Sequence, residues 1–208
     1  MLSELHAYPV ADAADRLGAP PADVAWQPHY EQLWPLVSEV ALPELDHELA
    51  DAVTRRFMEM VEHPPVFPTG LIHNDLGPVH VLIGSDGPAG IIDFEDAWLG
   101  DPATDLTPLV ACLGRAALLD LAAGRDLGER LDDRLVFYRW MGSIHAIVYG
   151  VREGVAEERI GGVDELPTRG GSHHQPLIPA CWRTQPILTR IRLAPGRWWG
   201  FGPGEPCG

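Results

Sequence analysis

Leu2, Leu5 and His6, then Val10, Ala13, Ala14 and Leu17, recur at helical steps, so residues 2–18 read as two short helices broken at Pro9. Gly18-Ala19-Pro20-Pro21 reads as a linker. Tyr30, Leu33, Trp34, Val37 and Val40 share one face of a helix over about 28–41. Leu49, Val53, Phe57, Met60 and Val61 share the face of another over about 45–62, which Pro64-Pro65 ends. The helical period then gives way to short apolar runs, predicting strands at 70–73, 79–83 and 89–94. Ser85-Asp86-Gly87 is a turn signal, so the last two form a hairpin. Asp101-Pro102 opens the next helix, with Asp as N-cap and Pro at the first helical position. Helices are predicted at about 102–113, 115–123, 128–151 and 154–166. Leu131, Leu135, Tyr138, Met141, Ile144 and Val148 stripe the long one. The fold class is α+β, mostly helical, with one small β element in the middle and no internal repeat.

Composition changes this picture at one end only. Residues 1–167 carry 29 of the 30 acidic residues and 10 Arg, whereas 168–208 carry one acid, 5 Arg, 7 Gly, 6 Pro and 3 Trp. The tail has no sustained period. It reads either as an irregular or disordered extension or as a frameshifted end, since GC-rich DNA read out of frame yields these residue types. Its His173, His174 and Cys181 fit no zinc spacing.

Of the 208 residues 46% are hydrophobic, a globular composition, and the net charge of −15 argues against nucleic-acid binding, which needs a basic face. Cys112, Cys181 and Cys207 are few and far apart, suggesting no disulfide framework. No apolar run reaches the ~20 residues of a membrane span, and the first residues lack a leader pattern. A cytoplasmic protein is the expectation. All 15 basic residues are Arg, with no Lys anywhere.

The candidate chemistry lies in the β element. His73, Asp75 and His80 fall between two apolar strands, and the hairpin returns Asp93 toward them. A carboxylate to orient and deprotonate a hydroxyl, plus ligands for Mg²⁺, is the inventory of phosphoryl transfer. The same four residues also suit a His/Asp metal-dependent hydrolase. His73 and Asn74 read as loop-fixing residues, Asn74 in a left-handed turn. Asp101 and Asp105 read as bracing for the helix start and loop. Trp26, Trp34 and Trp140 read as core, and Glu44, Asp46, Glu48 and Asp51 as a solvated face.

His73-x-Asp75-x4-His80, Ile92-Asp93-Phe94 and Gly100-Asp101-Pro102-x2-Asp105-Leu106, in this order, resemble the aminoglycoside phosphotransferase/choline kinase-like family, which has the protein-kinase-like fold. The resemblance covers roughly 1–166 and matches the family's C-terminal lobe. It implies an ATP- or GTP-dependent, Mg²⁺-requiring phosphotransferase acting on a hydroxyl of a small molecule, such as an aminoglycoside or macrolide antibiotic or a metabolite. Asp75 matches the catalytic Asp, and Asp93 the metal-binding Asp. His80 stands where most members carry Asn as second metal ligand, as in macrolide phosphotransferase-like sequences. Ile92 matches an apolar residue that packs beneath the nucleotide. The family's N-terminal lobe, with its phosphate loop and Lys, has no counterpart here. The chain therefore reads as a C-lobe without its N-lobe, expected to grip nucleotide weakly by itself. The alternative is a catalytically silent remnant or binding module.

Overall fold

The computed structural model describes residues 1–18, 26–85 and 87–166. The tail expectations for 168–208, including the frameshift reading, lie outside the described residues, as does most of the 18–21 linker.

The apolar stripes become helices as their period requires. Helix α1 (Leu2–His6) and α2 (Val10–Leu17) are separated at Pro9, and α2 ends on left-handed Gly18. Helix α3 (Trp26–Leu36) is shorter than its stripe: Val37–Ala41 opens into a π turn instead of continuing the α-helix to 41. Pro35 lies inside α3 and has no N–H to give to the carbonyl of Glu31, so the helix ladder already carries a gap one turn before the π segment. Helix α4 (His47–Glu62) starts at Asp46, whose side chain accepts Leu49 N–H at 2.8 Å.

Two antiparallel ribbons follow. Strand β1 (Gly70–Ile72) pairs with β4 (Trp98–Gly100), and β2 (Val81–Gly84) pairs with β3 (Gly87–Ile91). The hairpin is real, but its limits move inward from 79–94. Pro78–His80 is a 3₁₀ turn, closed by His80 N–H on Gly77 O at 3.0 Å. At the other end the chain leaves the ribbon after Ile91, because Asp93 takes φ +67°. Strand β4 was not predicted, since three residues are too few for alternation to register. At Gly100 the ribbon is closely packed: a Cβ there would sit 2.8 Å from Ile72 Cδ1, which would have to move.

Helices α5 (Ala103–Leu113), α6 (Arg115–Ala122), α7 (Leu131–Arg152) and α8 (Ala156–Glu165) complete the described chain. Helix α7 starts three residues later than its stripe suggested. Gly128 lies at φ +76°, and a Cβ on it would come within 2.5 Å of Phe67 Cα, so the chain must pass there as a loop.

The core centres on α7. Phe137, Tyr138, Met141, Ile144 and Ile147 pack with Val53, Phe57 and Met60 of α4 and with Tyr30 and Leu33 of α3. Tyr30 and Phe137 meet edge-on at 4.9 Å between centroids. Trp26, Trp34 and Trp140 are half-buried against this core, in keeping with their stripes. Residues 1–18 and 26–62 are helix and turn throughout, so no strand precedes β1 among the described residues.

Candidate active site

The site is built on the loop between β1 and β2 and on the turn after β3. Two buried carboxylates at the start of α5 hold these pieces in place. Pro102, not Asp101, is the N-cap of α5, one residue later than predicted; the Asp101 carboxylate still accepts Ala103 N–H at 2.9 Å, and also the Tyr138 hydroxyl at 2.7 Å. Arg134, wholly buried, donates to the same carboxylate and to Leu127 O, so the charge of Asp101 is neutralised inside the core. Asp105, also wholly buried, accepts His73 N–H at 2.8 Å and Asn74 N–H at 2.9 Å. This bidentate hold fixes the backbone immediately before Asp75. Asn74 sits at φ +69°, the left-handed turn its residue type tolerates. Both Asp residues therefore brace, as their position at a helix start implied.

His73 is fully buried. Its Nε2–H donates to Ile92 O at 2.9 Å, and among the described residues its Nδ1 has no partner. It ties the first loop to the second and stacks on His80, with centroids 5.5 Å apart and planes 24° from parallel. Phe94 also packs against the His73 ring, with centroids 4.8 Å apart.

His80 is held in one tautomer. Its Nδ1 lies 2.7 Å from the main-chain oxygen of Asp75. A carbonyl only accepts, so Nδ1 carries a hydrogen, and in the neutral ring Nε2 is the nitrogen that holds the lone pair. That lone-pair nitrogen is 3.7 Å from Asp93 Oδ2. Asp75 Oδ2 is 3.9 Å from His80 Nδ1. Asp75, His80 and Asp93 are thus brought to one edge of the hairpin, with both carboxylates open to solvent. Desolvation by the surrounding loop raises the Asp75 pKa from its ordinary value. His80 opposes this, Asp96 and Asp93 add to it, and His73 opposes it. The side chain of Ile92 is exposed at the same edge while its backbone is tied on both sides, N–H to His80 O at 3.0 Å and C=O to His73.

Asp75, Asp93 and His80 are the donors at this edge that could hold a cation. No group of three or more His, Cys, Asp or Glu side chains converges to cage a metal among the described residues. With His73 Nε2 committed to Ile92 O, the four-ligand set of a hydrolase is not gathered. Mg²⁺ does not need a cage. It keeps several waters and takes one or two protein ligands, with substrate phosphates completing its shell. Asp93 Oδ2 and the oriented Nε2 of His80 fit that requirement. The orienting hydrogen bond on the far side of the ring is what a ligating imidazole ordinarily has.

Residues 1–138 match the family profile of the phosphotransferase enzyme family. The chain belongs to that family. Viomycin phosphotransferase of Streptomyces vinaceus is 27% identical over 139 residues, spanning 64% of this chain and 45% of that protein. Among solved structures, the GDP and kanamycin complex of APH(2")-IIia superposes with a TM-score of 0.67 at 26% identity, covering 79% of this chain and 57% of that one. The likeness of fold extends to macrolide 2'-phosphotransferase type I, with a TM-score of 0.61 at 23% identity over 80% of this chain and 56% of that one. The chain thus spans about half the length of the relatives it matches. Sequence reasoning had identified the family and the residues gathered at this edge. It missed His6 of α1, whose Nε2 lies 2.9 Å from Asp105 Oδ2. The pair is 99 positions apart in the chain, and no local pattern links them.

Proposed function

We propose that residues 1–167 form the acceptor-side, C-terminal lobe of a nucleoside-triphosphate-dependent phosphotransferase. It moves the γ-phosphoryl group of ATP or GTP onto a hydroxyl of a small molecule: an aminoglycoside, a macrolide, a peptide antibiotic such as viomycin, or a metabolite. The observation that carries this reading is the single tautomer of His80, which aims Nε2 at Asp93 beside the open carboxylate of Asp75. The match of residues 1–138 to a family of phosphotransferases supports it.

In this reading Asp75 accepts a hydrogen bond from the acceptor hydroxyl and takes its proton as the oxygen attacks the γ-phosphorus. The bond from that phosphorus to the β–γ bridging oxygen breaks, leaving the nucleoside diphosphate. Asp93 and His80 would hold Mg²⁺, which would supply neutralisation of charge on the nucleotide phosphates. Ile92 offers the apolar surface on which the nucleotide rests. The raised pKa of Asp75 makes it a better proton acceptor than an ordinary carboxylate. The compartment this reading requires is the cytoplasm, where nucleoside triphosphate is at hand. None of the described helices is long and apolar enough to cross a membrane.

The test is phosphate transfer from ATP or GTP, with Mg²⁺, to aminoglycosides, macrolides, viomycin and amino alcohols. The chain is fused behind the N-terminal portion of a structural relative that it does not span. Transfer to a hydroxyl of at least one class is the expected result. A fusion that binds nucleotide and transfers to none would instead support a silent or binding-only lobe.

A further inference from the structure

We propose that His6, on the first helix, is a positioning residue for the loop that carries Asp75, acting through Asp105. The inference rests on the reading of that loop as the catalytic one. His6 is nearly buried and lies between two groups of fixed polarity. Arg125 Nη2 hydrogen-bonds His6 Nδ1, and a guanidinium can only donate, so Nδ1 accepts. The ring hydrogen therefore sits on Nε2 and is given to Asp105 Oδ2 at 2.9 Å. The same oxygen accepts His73 N–H at 2.8 Å, and the other oxygen accepts Asn74 N–H at 2.9 Å.

Asp105 is a wholly buried carboxylate, and the imidazole of His6 is its side-chain donor; the other two donors are the loop's own amides. A buried anion held by too few donors is expensive, and it relaxes by turning or by admitting water. His6 removes that freedom. It saturates Oδ2 and points the carboxylate plane at the amides of residues 73 and 74, and Arg125, itself anchored on Leu121 O at 3.2 Å, fixes the imidazole. The approach is built into the backbone as well. A Cβ on Gly70 would lie 2.8 Å from His6 O, so only glycine at the start of β1 lets the end of α1 close over the loop.

The experiment is amide hydrogen exchange by NMR on the 208-residue chain, comparing wild type with His6→Ala, His6→Gln and Leu2→Ala. Leu2 belongs to the same helix but only to its apolar face, so its variant loosens α1 without touching Asp105. Gln supplies both an acceptor for Arg125 and an N–H for Asp105. In His6→Ala the amides of His73 and Asn74 exchange about tenfold faster or more, while the Leu71 and Leu99 amides of the β1–β4 ribbon stay within about twofold. His6→Gln restores protection to within about threefold of wild type. Leu2→Ala lowers the melting temperature without singling out residues 73 and 74. Unchanged exchange of His73 and Asn74 in His6→Ala would overturn the proposal. So would an equal, global rise, or the same local rise in Leu2→Ala. Exchange is read without turnover. A relay that passes in a fusion that transfers no phosphate would fail the catalytic reading alone, and a relay that fails in an active fusion would fail only the role of His6.

Discussion

His80 shows how one hydrogen bond decides what a side chain can do. With Nδ1–H given to Asp75 O, the ring offers a lone pair toward Asp93 and cannot take up the opposite tautomer without losing that bond. The stack on His73 fixes the ring plane as well. Replacing His80 by Ala removes one of two donors, and replacing Asp93 by Asn removes the charged one. Mn²⁺, used as a paramagnetic stand-in for Mg²⁺, is expected to broaden the amide signals of residues 80 and 93 in the wild-type chain. His80→Ala should weaken the apparent affinity by about tenfold or more, and Asp93→Asn further still. Broadening that ignores both substitutions would place the cation elsewhere. Asp93 also adopts φ +67°, and a non-glycine residue there is uncommon. The turn that aims its carboxylate at His80 is thus held by the surrounding loop, through Ile92 on one side and the Phe94–His73 contact on the other.

At the scale of elements, what was legible in the sequence follows from how far each signal reaches. The stripes of α4 and α7 span several turns, so their period alone identifies both helices and most of the core. Asp75, His80 and Asp93 were legible because their spacing is set by one loop and one hairpin. Three features were not. Helix α3 gives way to a π turn at Val37, an outcome that a count of apolar positions does not register. Strand β4 is three residues long and is defined by its partner β1 rather than by its own pattern. Residues 128–130 fall within the predicted long helix but are turned aside by Asp126, whose side chain accepts Gly128 N–H at 2.9 Å, and by the crowding of Gly128 against Phe67. That crowding has a measurable consequence. Gly128→Ala combines a backbone clash with a left-handed φ, and is expected to cost about 2 kcal/mol or more of unfolding free energy, read as a lower urea midpoint. Gly124→Ala, also at positive φ but with nothing within 4 Å of its Cβ position, should cost about half as much or less. Equal costs at the two positions would mean that the packing on Phe67 is not what places the start of α7.

On the scale of the whole molecule, the core and the site are coupled through the N-terminus of α5. Asp101 reaches inward to Arg134 and Tyr138 of α7, and Asp105 reaches outward to the loop before Asp75. One short helix start therefore transmits the rigidity of the α7 core to the edge where Asp75, His80 and Asp93 meet. Nothing in the local sequence around Asp75 reveals that support, because its partners lie 31 and 32 positions away. In the proposed enzyme the grip on nucleotide phosphates is a task separate from proton acceptance by Asp75. The division of labour makes the central claim separable from nucleotide binding. In the fusion described above, Asp75→Asn keeps the shape of the side chain and removes its capacity to accept a proton. The direct measurement is single-turnover transfer from Mg²⁺-nucleotide to the best acceptor, alongside nucleotide affinity, in the fusion with Asp75 and with Asn in its place. The expected result is a loss of about 10²–10⁴-fold in the transfer rate, with nucleotide affinity changed by less than about threefold. A transfer rate that Asp75→Asn leaves unchanged would contradict the account.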